Sequence, residues 1–175
     1  MGQKRLLSVA AAFFLLMTFG VVPGGAEDSE SSRATLAGLQ GVAVVIEDLQ
    51  PNVQKYAAKS GLTKEQILRD VSQRLSAGGI RMVSGNEWLT MPGQPVLYIN
   101  INTHETEKYW YAYDIKVALR QIATLDANPQ MKTSAITWSL NITGQANIGT
   151  LQLIRQDTAV MMGKFVQAYW TANRK

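Results

Sequence analysis

The sequence predicts an α/β (α+β) domain. Its expected core is a four-stranded mixed sheet in the order β-α-β-β-β-α, with two helices packed on one face. Three observations carry that expectation. A continuous β-branched run over 41–46 precedes an amphipathic helical stretch that opens at Thr63. Three stretches of two-residue alternation follow, over 96–103, 109–122 and 133–143. A long helical period then closes the chain, over about 149–172.

The N-terminus reads as an export signal. Lys4 and Arg5 precede a largely apolar stretch, 6–22, and Gly24 and Ala26 supply the small residues of a cleavage site after Ala26. That stretch is near the lower length limit for a spanning helix, and no positive stop-transfer flank follows it. Residues 1–26 are therefore expected to be a cleaved signal peptide, which implies a periplasmic or secreted protein. No membrane attachment is expected after cleavage. The polar stretch 27–35, EDSESSRAT, reads as a disordered leader. Residues 36–175 read as a single domain, long enough to bury a core.

The first strand, GVAVVI over 41–46, ends at 48–51. In the helix that follows, Thr63 and Gln66 suit a capping box, with Leu62 and Ile67 as its hydrophobic staple. Ile67, Leu68, Val71 and Leu75 form the apolar stripe, and Glu65–Arg69 and Asp70–Arg74 have the spacing of ion pairs. Gly78 and Gly79 stop the helix. Ser84–Glu87 suggests a short helical turn over 87–89. Leu97, Ile99 and Ile101 share one face of the next strand. Tyr109, Tyr111, Tyr113, Ile115, Val117 and Leu119 share a face in the following one, so its tyrosines belong to the core with its aliphatics. In the last strand Ile136, Trp138, Leu140 and Ile142 point the same way. The connections HETEK and DANPQMK read as short polar loops. The final helix is expected to present Ile148, Leu151, Ile154, Met161, Phe165, Ala168 and Tyr169.

The opposite phase defines an open sheet face. It is expected to carry Tyr98, Asn100 and Asn102, then Trp110, Asp114, Lys116 and Arg120, and then Thr137, Ser139 and Asn141. This amide- and hydroxyl-rich surface reads either as a solvated face or as a binding face for a protein partner, a second copy or a glycan. Trp110 is its natural anchor.

Composition limits the alternatives. The formal charge is +4, but removing Lys4 and Arg5 from the 17 basic residues leaves 15 against 13 acidic ones. A net of +2 without clusters argues against nucleic acid as a partner. The chain has no cysteine, so disulfides, a catalytic thiol and a lipid-modified cysteine are excluded. His104 is the only histidine, so an ordinary zinc site cannot be assembled. No phosphate-binding glycine motif and no G-x-S-x-G elbow occur. No cofactor is expected. Glu47, Asp114 and the loop residue His104 are the remaining candidates for an alternative reading, a secreted hydrolase using carboxylates.

The stretches LAGLQGVAVVIEDL, GLTKEQILRDVSQRLSAGGIRMVSGNEWL, PGQPVLYININ, YAYDIKVALRQ, TWS and VQAYWTAN resemble a family of small exported bacterial α/β proteins of unknown function, over residues 36–173. The resemblance implies export and brings no catalytic residue with it. The β-α-β-β-β-α order is also similar to small envelope domains such as the N-terminal domain of the Tol-system propeller protein, which implies a protein-interaction module. The expectation is a non-enzymatic binding or envelope-associated protein, working through its open face or by self-association.

Overall fold

The structure, a computed structural model, describes residues 27–174, and the expected signal peptide lies outside them. Ten elements follow in order: α1 (Glu30–Ala34), β1 (Val42–Ile46), α2 (Pro51–Ser60), α3 (Lys64–Ala77), β2 (Met82–Val83), a 3-10 turn (Glu87–Thr90), β3 (Val96–Glu107), β4 (Trp110–Leu125), β5 (Asn128–Asn147) and α4 (Gln152–Asn173). The sheet runs β2-β1-β3-β4-β5. β1 is parallel to both β2 and β3, while β3, β4 and β5 form an antiparallel meander.

The mixed α+β class and the parallel pairing of the first strand with the second long one match the sequence reading. The element count among the described residues does not. There are five strands rather than four, because Met82–Val83 adds a short edge strand after α3. There are four helices rather than two. α2 begins with Pro51, whose fixed φ suits the first helical position, and it buries Val53 and Ala57. The segment read as a disordered leader contains α1. Ser29 caps it, accepting from the Ser32 N–H, while its own N–H donates to the Ser32 hydroxyl.

α3 has half of the expected capping box. Thr63 accepts from the Gln66 N–H, but the Gln66 amide turns to Asp70 at 2.9 Å instead of back to the cap. Ile67, Val71 and Leu75 are buried, whereas Leu68 is on the wet flank. Asp70 pairs with Arg155 of α4 rather than with Arg74, and so ties the two helices together. Gly78 permits that approach, since a Cβ there would lie 2.6 Å from Val166 Cγ1.

The two hairpins are tighter than expected. Lys108–Tyr109 and Asp126–Ala127 are two-residue turns, so His104 lies within β3 and not in a loop. Tyr109 occupies the left-handed region at φ 70° and leaves the tyrosine row; its ring packs edge-on against Tyr56. Tyr111 and Tyr113 remain in the core. The Tyr111 hydroxyl donates to the Asn52 carbonyl, and the Tyr113 hydroxyl donates to Asp157 at 2.5 Å.

Most of the buried apolar side chains form one cluster between the sheet and the helices; Ala43, Val83 and Ala118 lie outside it. Trp138 and Phe165 are fully buried at its centre, with ring centroids 5.1 Å apart. Each such side chain contributes about 1.5–3 kcal/mol on burial. The Trp138 indole N–H donates to Asp28, which also receives two bonds from Arg33. Residues 27–34 thus fasten the outer strand to the helical layer. Among the described residues, no helix is long and apolar enough to cross a membrane.

Candidate functional site: the open face of the sheet

Strand register builds this face row by row. Tyr98, Ala118 and Ser139 share one row; Asn100, Lys116 and Asn141 the next; Asn102, Asp114 and Thr143 the third; His104, Ala112 and Gln145 the fourth. Trp110 follows Ala112 on the same side of β4 and is 45% exposed. Of the residues expected here, Tyr98, Asn100, Asn102, Trp110, Asp114, Lys116, Arg120, Ser139 and Asn141 have the outward phase.

Thr137 does not. It is the unpaired residue of a bulge, because Leu119 pairs with Trp138 and Arg120 with Ile136. Its hydroxyl accepts from Gln121 at 2.8 Å, beside the Thr35 main chain, on the α1 side. The bulge also moves Ile136 to the outward side opposite Arg120, against the expected inward phase. Ser139 keeps its phase but is buried, beside Glu27, which pairs with it in parallel.

One end of the face is internally bonded. The Arg120 guanidinium lies 3.8 Å from the centroid of the Tyr98 ring. The Tyr98 hydroxyl donates to Glu47 at 2.7 Å and accepts from the Asn100 amide at 3.3 Å. Asn100 Oδ1 is buried and has no hydrogen-bond partner. A buried acceptor without a donor costs about 1–3 kcal/mol.

The other end is hollow. A concavity of about 700 Å³ opens over Ala112, framed by Asn102, His104, Asp114, Thr143 and Gln145. Ala112 makes the depression, since its neighbours in the row are longer. Gln50 braces one wall by donating to Asn102 Oδ1 at 2.9 Å. It also accepts from the Thr103 N–H and hydroxyl, while the Asn52 amide donates to the Thr103 carbonyl. These side chains cover the part of the β3 edge that β1 does not reach.

The sequence reading offers His104 only as a loop candidate for a hydrolase and not as part of this face, because HETEK reads as a loop; Gln145 lies beyond the strand end read at 143, and Thr143 stands at that end. His104 and Asp114 are diagonal neighbours, about 7–8 Å apart by strand geometry. No hydrogen bond links Asp114, His104 and Thr143 among the described residues. Glu47 lies two strands away from Asp114, engaged by Tyr98. No group of three or more potential metal ligands occurs among the described residues.

A second concavity, about 500 Å³, lies between α3 and α4. Asp70 and Arg155 form its floor. Burial alone would raise the Asp70 pKa, but the hydrogen bonds from Arg155 and Gln66 bring it below the ordinary carboxylate value. The pair is a helix–helix clamp. Compared with protein-family models, curated proteins and solved structures, the chain matches none of them.

Proposed function

We propose that this chain is an exported, non-enzymatic binding protein that recognises a partner protein through the open face of its sheet. The carrying observation is the hollow over Ala112, where polar side chains from three strands converge beside the exposed Trp110. Its walls offer amide donors and acceptors, a hydroxyl, an imidazole and one carboxylate. That set suits a polar backbone or side-chain segment, with Trp110 as an aromatic anchor. The signal-like N-terminus and the resemblance to exported bacterial proteins support a periplasmic or secreted setting.

The test is capture from the native envelope with the purified chain, comparing wild type with Trp110→Ala and Asn102→Ala. Truncating an anchor at the centre of an interface costs about 2 kcal/mol or more. The expected result is at least a tenfold loss of the captured partner, with thermal stability unchanged. Retention of the same partner by both variants contradicts the reading.

A hydrolase is the second reading. The observation favouring it is that His104 and Asp114 line one hollow. It predicts hydrolytic turnover that His104→Ala and Asp114→Asn each abolish. Undiminished turnover in both variants contradicts it.

A further inference from the structure

β5 is the outer strand of the sheet, and its free edge varies along its length. Toward the hairpin tip, Pro129 and Lys132 guard it. At Ser139, Glu27 pairs with it in parallel. Residues 140–146, LNITGQA, have neither device. They carry no charge and no proline, and among the described residues no strand pairs with their outer edge. Seven residues make about 24 Å of edge, and Asn141, Thr143 and Gln145 turn their main-chain donors and acceptors outward; beyond them the Asn147 N–H and carbonyl are taken by Thr150. An unguarded edge of this kind is a template for another strand.

The helix above this edge carries two exposed apolar side chains on the matching flank, interleaved with Asp157, which the Tyr113 hydroxyl engages, and with Lys164. Ile154, Met161, Phe165 and Ala168 turn α4 toward the core. Gln152, Arg155, Gln156 and Ala159 face α3. At 100° per residue, Leu153 and Val160 fall on the flank away from α3, above the outer strand. They are 38% and 54% exposed. Below them, Leu140 and Ile142 of β5 are only partly buried. Leu153, Val160, Leu140 and Ile142 therefore place apolar surface beside the charge-free edge, with Asp157 and Lys164 among them on the helix.

We propose that residues 140–146 pair antiparallel with the same residues of a second copy about a two-fold axis through Thr143, forming one ten-stranded sheet. A second copy fits for three reasons. Antiparallel self-pairing is isologous, so each edge group meets its complement. The segment carries no charge, so no like charges oppose each other across the axis. An axis perpendicular to the sheet keeps both helical layers on one side, where Leu153 and Val160 of each copy pack over the junction. A matched edge about 24 Å long and roughly 20 Å deep buries on the order of 1,000 Å² in total, at the lower end for a specific interface. The inference is independent of what binds the open face, although pairing would make the two open faces continuous.

The absence of cysteine makes the test direct. Thr143→Cys in the purified chain is expected to give a covalent dimer on mild oxidation, and Lys59→Cys on α2 is expected to stay monomeric. Light scattering on the unmodified chain is expected to show a concentration-dependent dimer. Val160→Glu, at an exposed position, is expected to weaken that dimer at least tenfold without lowering the melting temperature. A strict monomer up to ~200 µM, a dimer indifferent to Val160→Glu, or equal crosslinking from both cysteine positions would each overturn the proposal.

Discussion

The Tyr113 hydroxyl shows how one residue of the aromatic run EKYWYAYDIKV is used. Its ring crosses over Gly144 of β5, where a Cβ would overlap it, and its hydroxyl reaches Asp157 of α4. Burial first, and then the hydrogen bond and charge of Asp157, raise its pKa to about 12. The unfolded tyrosine loses its proton near pH 10. Between about pH 10 and 12 the folded chain keeps a proton that the unfolded chain has released, so stability falls as pH rises through that window. Tyr113→Phe is expected to lower stability at pH 7 by about 1–2 kcal/mol and to flatten the alkaline fall. Urea unfolding at pH 7, 10 and 11 measures both; an unchanged alkaline slope in the variant contradicts the account. At this scale the alternation of β3 and β4 was readable because a buried face fixes phase. The fate of Tyr109 and Thr137 was not. A two-residue turn takes Tyr109 out of phase, and the bulge at Thr137 interrupts a stretch whose apolar letters, Ile136, Trp138 and Leu140, continue to alternate across it.

At the scale of elements, the long and strongly periodic segments were readable and the short ones were not. α3 and α4 announce themselves through apolar stripes. α2 was lost because Pro51 was read as the end of a strand, although the same residue is suited to begin a helix. β2 has only two residues, too few for any period. α1 was lost because its sequence is polar; what orders it is tertiary. Arg33 first, with Trp138 also donating, holds the Asp28 carboxyl below its ordinary pKa against the opposing effect of burial. A lowered folded pKa means that this contribution is complete above the unfolded value of about 4 and is lost as pH falls through the folded one. Asp28→Ala leaves the buried Trp138 N–H without its acceptor and is expected to cost about 1–3 kcal/mol at pH 7. It should also reduce the acid-induced loss of stability below pH 4 relative to wild type. Equal unfolding midpoints for the two proteins would mean that residues 27–34 do not fasten the sheet as described.

Viewed as a whole molecule, the protein has a helical side and a bare side. The helical side takes the apolar half of β3, β4 and β5, whereas β1 is apolar on both faces and leaves Val45 exposed on the other side. The other side keeps the polar half, and no described helix crosses it. The sequence pattern placed nine of the ten expected residues on that side. It could not show which of them meet a concavity, because that depends on the small Ala112, on the tight turn that carries β3 past His104, and on the Gln50 brace from a loop read only as a stop. Nor could it show that the Tyr98, Glu47 and Arg120 corner is already internally satisfied, which leaves the Ala112 hollow as the part available to a partner. Recognition through this bare side is the central claim. Photocrosslinking groups placed singly at Asn102, Trp110 and Gln145, and for comparison at Lys59, Arg69 and Gln73 on the helical side, test it most directly in the native envelope. The account predicts that the first three positions capture one and the same partner and that the last three capture none. Capture of that partner from the helical positions, with the sheet positions silent, would contradict it.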